Sequence, residues 1–516
     1  MAKRKIAAFH DSMDANLMTK INRNADTLTQ FQGLTYGLPL LPLTFLAGPI
    51  TLLQGIYAKH FGLTLTTIAT VLLIARLFDA VTDPVIGYCA DRYYARRGNR
   101  KPFIIAGAVL FIISSWFLYV PFGFYPAQGH TSVSAGYFLG WFLAFYLAYT
   151  LFEIPHMAWG SELASGSREK NTVYGVRSFF FFLGSLLFFA MPLLPWFETT
   201  EFTPQTLKWS ALVAGSLMLP MLYLCIKYVP NKPILSPMDT PHARSSQKES
   251  LRVVLRAVFT NKPLLVLTIA HICTGFGSGM YFTLLFIFVD GYLDLGPHFA
   301  LVFVISLGLS LVALRLWFVM ANRWGKQMTW ISGMVLVIIG TIGTGLLSPE
   351  DTGWLGLLLC VALVYGGFSA FNIMVPSLLS DIIDYGTWKF GTDRAATYFS
   401  LYTFINKSVG ALGGALALAI AGWVGFDPTA TSHSDATVAG LRLGMVWIPA
   451  LFILLSIVFI ARIPITARRH EIIRRRLDSR LVRAACAMAT PSQLDTKTDV
   501  GIIPNNPDRP NSLLQT

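Results

Sequence analysis

Between Leu34 and Ile463 the chain is a near-continuous succession of apolar stretches, each close to the roughly 20 residues that cross the hydrocarbon core of a bilayer. Inside a bilayer every backbone N–H and C=O must be satisfied within the chain, so such a run folds as a bundle of transmembrane helices. Spans are expected at about 34–57, 64–91, 103–122, 136–159, 174–197 and 209–228, then at 263–289, 298–321, 328–347, 354–379, 395–424 and 440–463. Six and six make an all-α polytopic membrane protein of twelve transmembrane helices. Pro39, Pro42 and Pro49 fall inside the first span and predict a kinked helix there. With 54% of residues hydrophobic and 13% charged, a soluble domain is excluded.

The polar remainder divides the chain. Residues 1–33 form an N-terminal tail that starts with Lys3, Arg4 and Lys5 and has no apolar leader core. Residues 229–262 are a basic, Pro- and Ser-containing linker between an N-terminal six-helix half, 34–228, and a C-terminal half, 263–463. Residues 464–516 open with ARRHEIIRRRLDSRLVRAA, read as an interfacial basic helix, and end in a polar stretch read as disordered. The net charge of +13 sits in alternate loops and the tail, which is a topology signal rather than a nucleic-acid surface. It places both termini in the cytoplasm of a protein of the cell (inner) membrane. The loop sequence ADRYYARRGNRK after the second span is echoed by ANRWGKQ after the eighth, as expected for two pseudo-symmetric halves with a site near the midplane. The cysteines, at 89, 225, 273, 360 and 486, lack the spacing of a zinc site or a disulfide framework.

Charge inside the second span needs a reason. Arg76, Asp79 and Asp83 fall at i, i+3 and i+7, which puts them on one helical face. Arg76 neutralises one carboxylate as a structural ion pair on one reading. On the other, the excess negative charge is balanced by a bound cation or proton. A second charged stretch, SDIIDYGTWKFGTDR, holds Asp381, Asp384, Lys389, Asp393 and Arg394. At a membrane boundary such charges are expected to be solvated and to have a structural or gating role. Lys407 lies inside the eleventh span with no carboxylate at i±3 or i±4. Its partner must come from another helix, and Asp79, Asp83 and Glu153 are the candidates. His156 and His271, single histidines in apolar spans, read as interhelical hydrogen-bonding groups. No nucleotide-binding loop, metalloprotease helix or nucleophile elbow occurs, so a primary pump or an enzyme is disfavoured, and neither catalytic residues nor a metal centre are expected.

Four motifs, ARLFDAVTDPVIGYCADR…RRGNRKP, FEIPHMAWGSELA…R, LLSDIIDYGTWKFGTDR and FINKSVGALGG, resemble the glycoside–pentoside–hexuronide:cation symporters of the major facilitator superfamily, most specifically the melibiose permease branch. The resemblance implies the major facilitator fold and a cation site formed by Asp79, Asp83 and Thr150. Thr82 stands where the branch has an asparagine; it keeps an oxygen ligand and leaves the coupling ion as Na+ or H+. Glu153 stands at a sugar-binding aspartate, and Arg177 and Lys407 match cavity cations. Met157 replaces a tryptophan that stacks on sugar, while Leu43 and Pro42 stand where a galactoside-binding aspartate and a lysine belong. An apolar leucine cannot replace a carboxylate held to sugar hydroxyls, so a galactoside is not the expected substrate. Arg76, Asp91, Arg92, Arg100, Lys101, Asp381, Asp384 and Arg394 are assigned to a charge network that gates the carrier.

Three functions are compatible with these residues. The first is cation-coupled symport of a sugar-type solute (a glycoside, pentoside or uronide) by a monomer that needs no cofactor beyond the coupling cation. The second is cation-coupled carriage of a lysolipid or another amphiphile on the same scaffold. The third is a transport-incompetent sensor, against which the two aspartates argue. Membrane lipid is the only other partner expected.

Overall fold

In the computed structural model, residues 29–63, 65–121, 133–164, 166–195, 197, 202–231, 258–350, 353–426 and 434–488 are described. The expectations for the N-terminal tail, for most of the 229–262 linker and for the disordered end of the chain fall outside them. The first span is broken, as its prolines require. It comprises α1 (Gln30–Gly37), α2 (Leu40–Ala47), a 3-10 turn over Gly48–Thr51 and α3 (Leu53–His60). Pro39 interrupts the first join and Pro49 sits in the 3-10 turn, each lacking the N–H a continuous helix would use. The rest of the N-terminal half is α4 (Leu65–Arg97), α5 (Lys101–Tyr119), α6 (Ala135–Leu163), α7 (Ser167–Ala190) and α8 (Pro204–Tyr228). The C-terminal half follows with α9 (Lys262–Gly291), α10 (Gly296–Trp324), α11 (Lys326–Leu346), α12 (Trp354–Phe390) and α13 (Ala395–Trp423). It closes with α14 (Asp435–Arg442), a π-turn over Leu443–Trp447 and α15 (Ile448–Ala461). A last helix, α16 (Ala467–Met488), lies beyond the spans.

Among the described residues, eleven helical segments are long and apolar enough to cross a membrane. The twelfth span is α4, equally long but less apolar because it carries Arg76, Asp79 and Asp83. Each half has its own apolar core, and the core of the C-terminal half takes in Ile154, Met157, Tyr174 and Phe182 from across the interface. The helices outrun the apolar stretches at the end of the bundle that carries the basic loops, here called the basic end. Thus α4 continues through Arg92 to Arg97, α7 starts at Ser167 rather than near 174, and α12 runs through the charged SDIIDYGTWKF to Phe390. Hydropathy marks where the lipid ends, whereas a helix continues until its hydrogen bonds are capped. For α4 and α12 that happens at Gly98 and Gly391, both at positive φ, whose N–H groups bond Tyr94 O and Thr387 O.

The repeated loop motif has a structural counterpart in each half. Arg100, just before α5, bonds Glu162 at the end of α6 (2.6 Å), and Lys326, at the start of α11, bonds Asp381 on α12 (2.6 Å). The next residues also match. Lys101 Nζ donates to Ile226 O and Val229 O at the end of α8, and Gln327 Nε2 donates to Ile463 O and Ile465 O just past α15. Each half thus ties its third span to its fourth by charge and to its sixth by capped carbonyls. The two halves are pseudo-symmetric in chemistry as well as in helix order.

Candidate functional site

On α4 the i, i+3, i+7 spacing does align Arg76, Asp79 and Asp83, and the aspartate side chains are 1% and 0% exposed. Arg76 Nη1 approaches Asp79 Oδ2 at 3.5 Å, and its guanidinium lies 5.3 Å from the Tyr146 ring centre. The remaining negative charge is met from the other half. Lys407 Nζ lies 3.0 Å from Asp83 Oδ1, 3.4 Å from Asp79 Oδ1 and 2.9 Å from Thr150 Oγ1. Thr150 Oγ1 in turn lies 2.9 Å from Asp83 Oδ1. An ammonium on α13 is therefore held by oxygens of α4 and α6. Of the three carboxylates the sequence left open, Asp83 and Asp79 are the partners, and Glu153 is not. Thr82 does not join them; its hydroxyl donates to Phe78 O one turn back in α4 (3.0 Å).

The helices that carry this cluster approach closely because small residues line the contact. A Cβ added at Gly87 would meet Ser400 Oγ at 2.6 Å and Ala396 O at 2.8 Å, so α4 and α13 pack nearly backbone to backbone across the halves. In the GALGG run, a Cβ added at Gly413 would clash with Phe276 O of α9, and one added at Gly279 of α9 would clash with the Gly410 backbone.

One turn along α6 from Thr150, Glu153 forms an ion pair with Arg177 of α7. Both are buried, and Glu153 Oε2 and Arg177 Nε have no hydrogen-bond partner among the described residues. The two clusters lie on one face of α6, where Tyr146, Thr150 and Glu153 recur at i, i+4 and i+7. Together they match Asp79, Asp83 and Glu153 against Arg76, Lys407 and Arg177, with no net charge. Met157 is not brought into the site. It is 1% exposed and belongs to the apolar packing between the halves. Leu43 is fully buried in the N-terminal core with Pro42 beside it, so α2 offers no polar ligand at either position.

His156 does bond between helices. Its Nε2 lies 3.0 Å from Tyr36 O, and the Tyr36 hydroxyl donates to His156 O at 2.8 Å. His271 is buried, and its ring stacks between Phe371 of α12 and Tyr402 of α13 at 5.3 and 4.8 Å.

At the basic end, polar contacts sew the halves together. Asp91, at the end of α4, accepts from Ala396 N (2.8 Å), Thr397 N (2.7 Å) and Thr397 Oγ1 (2.7 Å). A carboxylate of one half thereby caps the N-terminus of α13 in the other, satisfying donors the helix leaves open. Arg100 holds that carboxylate through Nη2 to Asp91 Oδ1 (2.9 Å). Burial would pull the Arg100 pKa down, but Glu162 and Asp91 beside it hold the guanidinium above its ordinary value. On the opposite side of the pseudo-twofold, Asn322 of α10 accepts from Asn171 near the start of α7 (3.1 Å). Lys170 bonds Asp384 and Ser380 O, and Ser167 Oγ donates to Asp381 (3.2 Å).

Several assignments change here. Asp381 is 2% exposed and Asp384 is shielded among cations, so neither is a solvated boundary charge. Lys101 caps α8 within its own half and takes no part in the gate. Arg92 is exposed, and the structure does not bring it into the network. Arg394 is buried with its guanidinium 5.9 Å from the Phe390 ring centre. Glu162, Lys170, Lys326 and His470 were missed as network members. Glu162 lies in FEIPHMAWGSELA and Lys326 in ANRWGKQ, so both carry a signal in the sequence.

Two six-helix halves with a charge-paired site between them define a multi-pass membrane transporter of the major facilitator fold. The family model for MFS/sugar transport proteins matches residues 35–467, and the chain belongs to that family. It is 24% identical over 398 residues to an uncharacterized symporter, YjmB, of Bacillus subtilis (strain 168), covering 76% of this chain and 82% of that one. It is 25% identical over 411 residues to a putative sulfoquinovose importer of Escherichia coli (strain K12), with 78% and 83% covered. Among solved structures, the proton:xylose symporter XylE bound to 6-bromo-6-deoxy-D-glucose superposes with a TM-score of 0.61 at 16% identity, covering 88% of this chain and 99% of that chain. The chain is thus a sugar-type transporter rather than an enzyme.

Proposed function

We propose that the protein is a cation-coupled symporter of a sugar-type solute (a glycoside, pentoside or uronide), working by alternating access in the cell membrane with its basic end and both termini in the cytoplasm. The observation that carries this reading is the Lys407 ammonium, held by oxygens of Asp79, Asp83 and Thr150 across the halves. Lys407 is a tethered counter-ion that occupies the place of a free cation. Na+ or H+ entering the carboxylate pair displaces it, because two carboxylates with Arg76 nearby cannot hold two added positive charges equally well. The freed lysine and the Glu153–Arg177 pair, one turn away on α6, then face the solute. Their unpaired Glu153 Oε2 and Arg177 Nε accept from and donate to sugar hydroxyls. Solute affinity and cation occupancy are linked through Lys407, and linkage is reciprocal.

The test is uptake by proteoliposomes of a panel of labelled sugars under an inward Na+ or H+ gradient. Wild type concentrates at least one sugar, whereas Asp79→Asn and Asp83→Asn bind or exchange it without concentrating it. Accumulation by both variants equal to wild type overturns the cation site.

A further inference from the structure

We propose that α16 is a latch on the cytoplasmic gate, which docks to hold the closed end shut and releases before the carrier opens inward. The inference rests on the alternating-access reading above.

The connector to α16 is fixed at both ends. Gln327 Nε2 holds Ile463 O (3.1 Å) and Ile465 O (2.8 Å), and Arg469 Nη1 returns to Pro464 O (2.7 Å). This delivers His470, 2% exposed, to the acidic pair of α12. Its Nε2 lies 2.7 Å from Asp384 Oδ2 and 3.6 Å from Asp381 Oδ1. One turn on, Arg474 Nη1 lies 3.6 Å from Asp384 Oδ1. Arg480 Nη1 then donates to Trp388 O (2.6 Å), and the Arg476 and Arg480 guanidiniums flank the Trp388 ring at 5.6 and 5.8 Å.

The carboxylate oxygen that takes His470 is the one that takes Lys170 from the other half. The helix packs against the start of α7 as well as against α12, so it straddles the seam it fastens. Four cationic or imidazole groups, Lys170, Lys326, His470 and Arg474, thus surround Asp381 and Asp384, and two of the four arrive on α16. The side chains that reach α12 (His470, Arg474, Arg476 and Arg480) are polar, with Ile473 and Leu477 half-buried beside them, and water takes over their hydrogen bonds on release. The outward face, with Arg468, Glu471, Ile472 and Arg475 exposed, makes no contact with the gate, and Arg475 pairs with Glu471 along the helix itself.

The experiment measures pulsed electron–electron distances in the full-length protein in lipid nanodiscs. Labels go on Arg96→Cys and Lys389→Cys, which are exposed at the basic ends of the two halves, with the five native cysteines replaced by serine. Lys170→Ala, which cuts the gate directly, provides the reference shift toward the long-distance population. His470→Ala with Arg474→Ala is expected to raise the open-to-closed ratio about tenfold, the size of one lost charge-assisted hydrogen bond. His470→Gln, which keeps an N–H at the Nε2 position, restores much of the closed state, and Glu471→Ala with Arg475→Ala changes nothing. If Lys170→Ala opens the gate and the His470/Arg474 pair does not, or if that pair lowers the melting temperature with no change in distances, the latch is wrong. If Lys170→Ala also leaves the distances unmoved, the gate and the alternating-access reading fall with it.

Discussion

Removing Lys407 tests the site most sharply, because the structure ranks its three possible partners. At 3.0 Å from Asp83, unit charges at an effective dielectric of about 20 attract by roughly 5 kcal/mol, and a hydrogen bond adds direction. Asp79 is 3.4 Å away and shares its charge with Arg76. Glu153 is already paired with Arg177. Lys407→Ala alone strands the Asp83 carboxylate, which has no exposed surface, and is expected to cost about 3–5 kcal/mol. Adding Asp83→Asn removes the stranded charge and recovers most of that loss. Double-mutant cycles by equilibrium unfolding in mixed micelles should give coupling of about 2–3 kcal/mol with Asp83, about 1 with Asp79, and within about 0.5 of zero with Glu153. Additivity with Asp83, or the largest coupling with Glu153, refutes the geometry.

Other substitutions follow from single contacts. Arg100→Ala leaves Asp91 and Glu162 facing each other in a buried pocket and should cost about 3–5 kcal/mol by thermal unfolding, partly recovered by Glu162→Gln. Gly87→Val drives a side chain into Ser400 Oγ and Ala396 O, parting α4 from α13, and should cost about 1–3 kcal/mol; Ser400→Gly relieves only part, since the carbonyl remains. Gln327→Lys should be neutral or slightly stabilising, because Lys101 already makes the equivalent pair of carbonyl bonds, whereas Gln327→Leu should lose about 1–2 kcal/mol. Equal losses from the lysine and leucine variants would show that the two halves are not chemically equivalent there.

The charged face of α4 was legible because charge inside an apolar segment is conspicuous and helical spacing is local. That Lys407 needed a distant carboxylate was legible too, since its own helix offers none. Which carboxylate it finds was not, because periodicity carries no information about how two halves meet. Lys170 escaped notice for a different reason: the apolar run begins near Tyr174, and SREKN ahead of it reads as loop, although α7 already includes it. Asp381 and Asp384 were misread as solvated because position near a membrane boundary says nothing of the cations gathered around them. Met157 shows the limit of carrying a role across a resemblance. A matched position gives the helix and the turn, but not whether the side chain lines a cavity or fills a core.

The distribution of contacts separates what stays from what moves. Within each half, the third span is tied to the sixth by bonds to backbone carbonyls, from Lys101 in one and Gln327 in the other. Because donor and acceptor of each tie belong to the same half, the ties hold its third and sixth spans together whether the halves are closed or parted. Between the halves the polar contacts centre on carboxylates that serve several donors at once. Asp91 holds Arg100 and the N-terminus of α13, Asp384 holds Lys170 and His470, and Asp83 holds Lys407 and Thr150. In the proposed alternating-access cycle, Asp91 and Asp83 each keep a partner within their own half while giving up the one across the seam. Asp91 retains Arg100 and Asp83 retains Thr150, whereas Asp384 gives up Lys170 together with His470 and Arg474 of the released α16, and water takes their place. At Asp83 the partner given up is Lys407, and in the proposed cycle the coupling cation takes its place beside a carboxylate with no exposed surface.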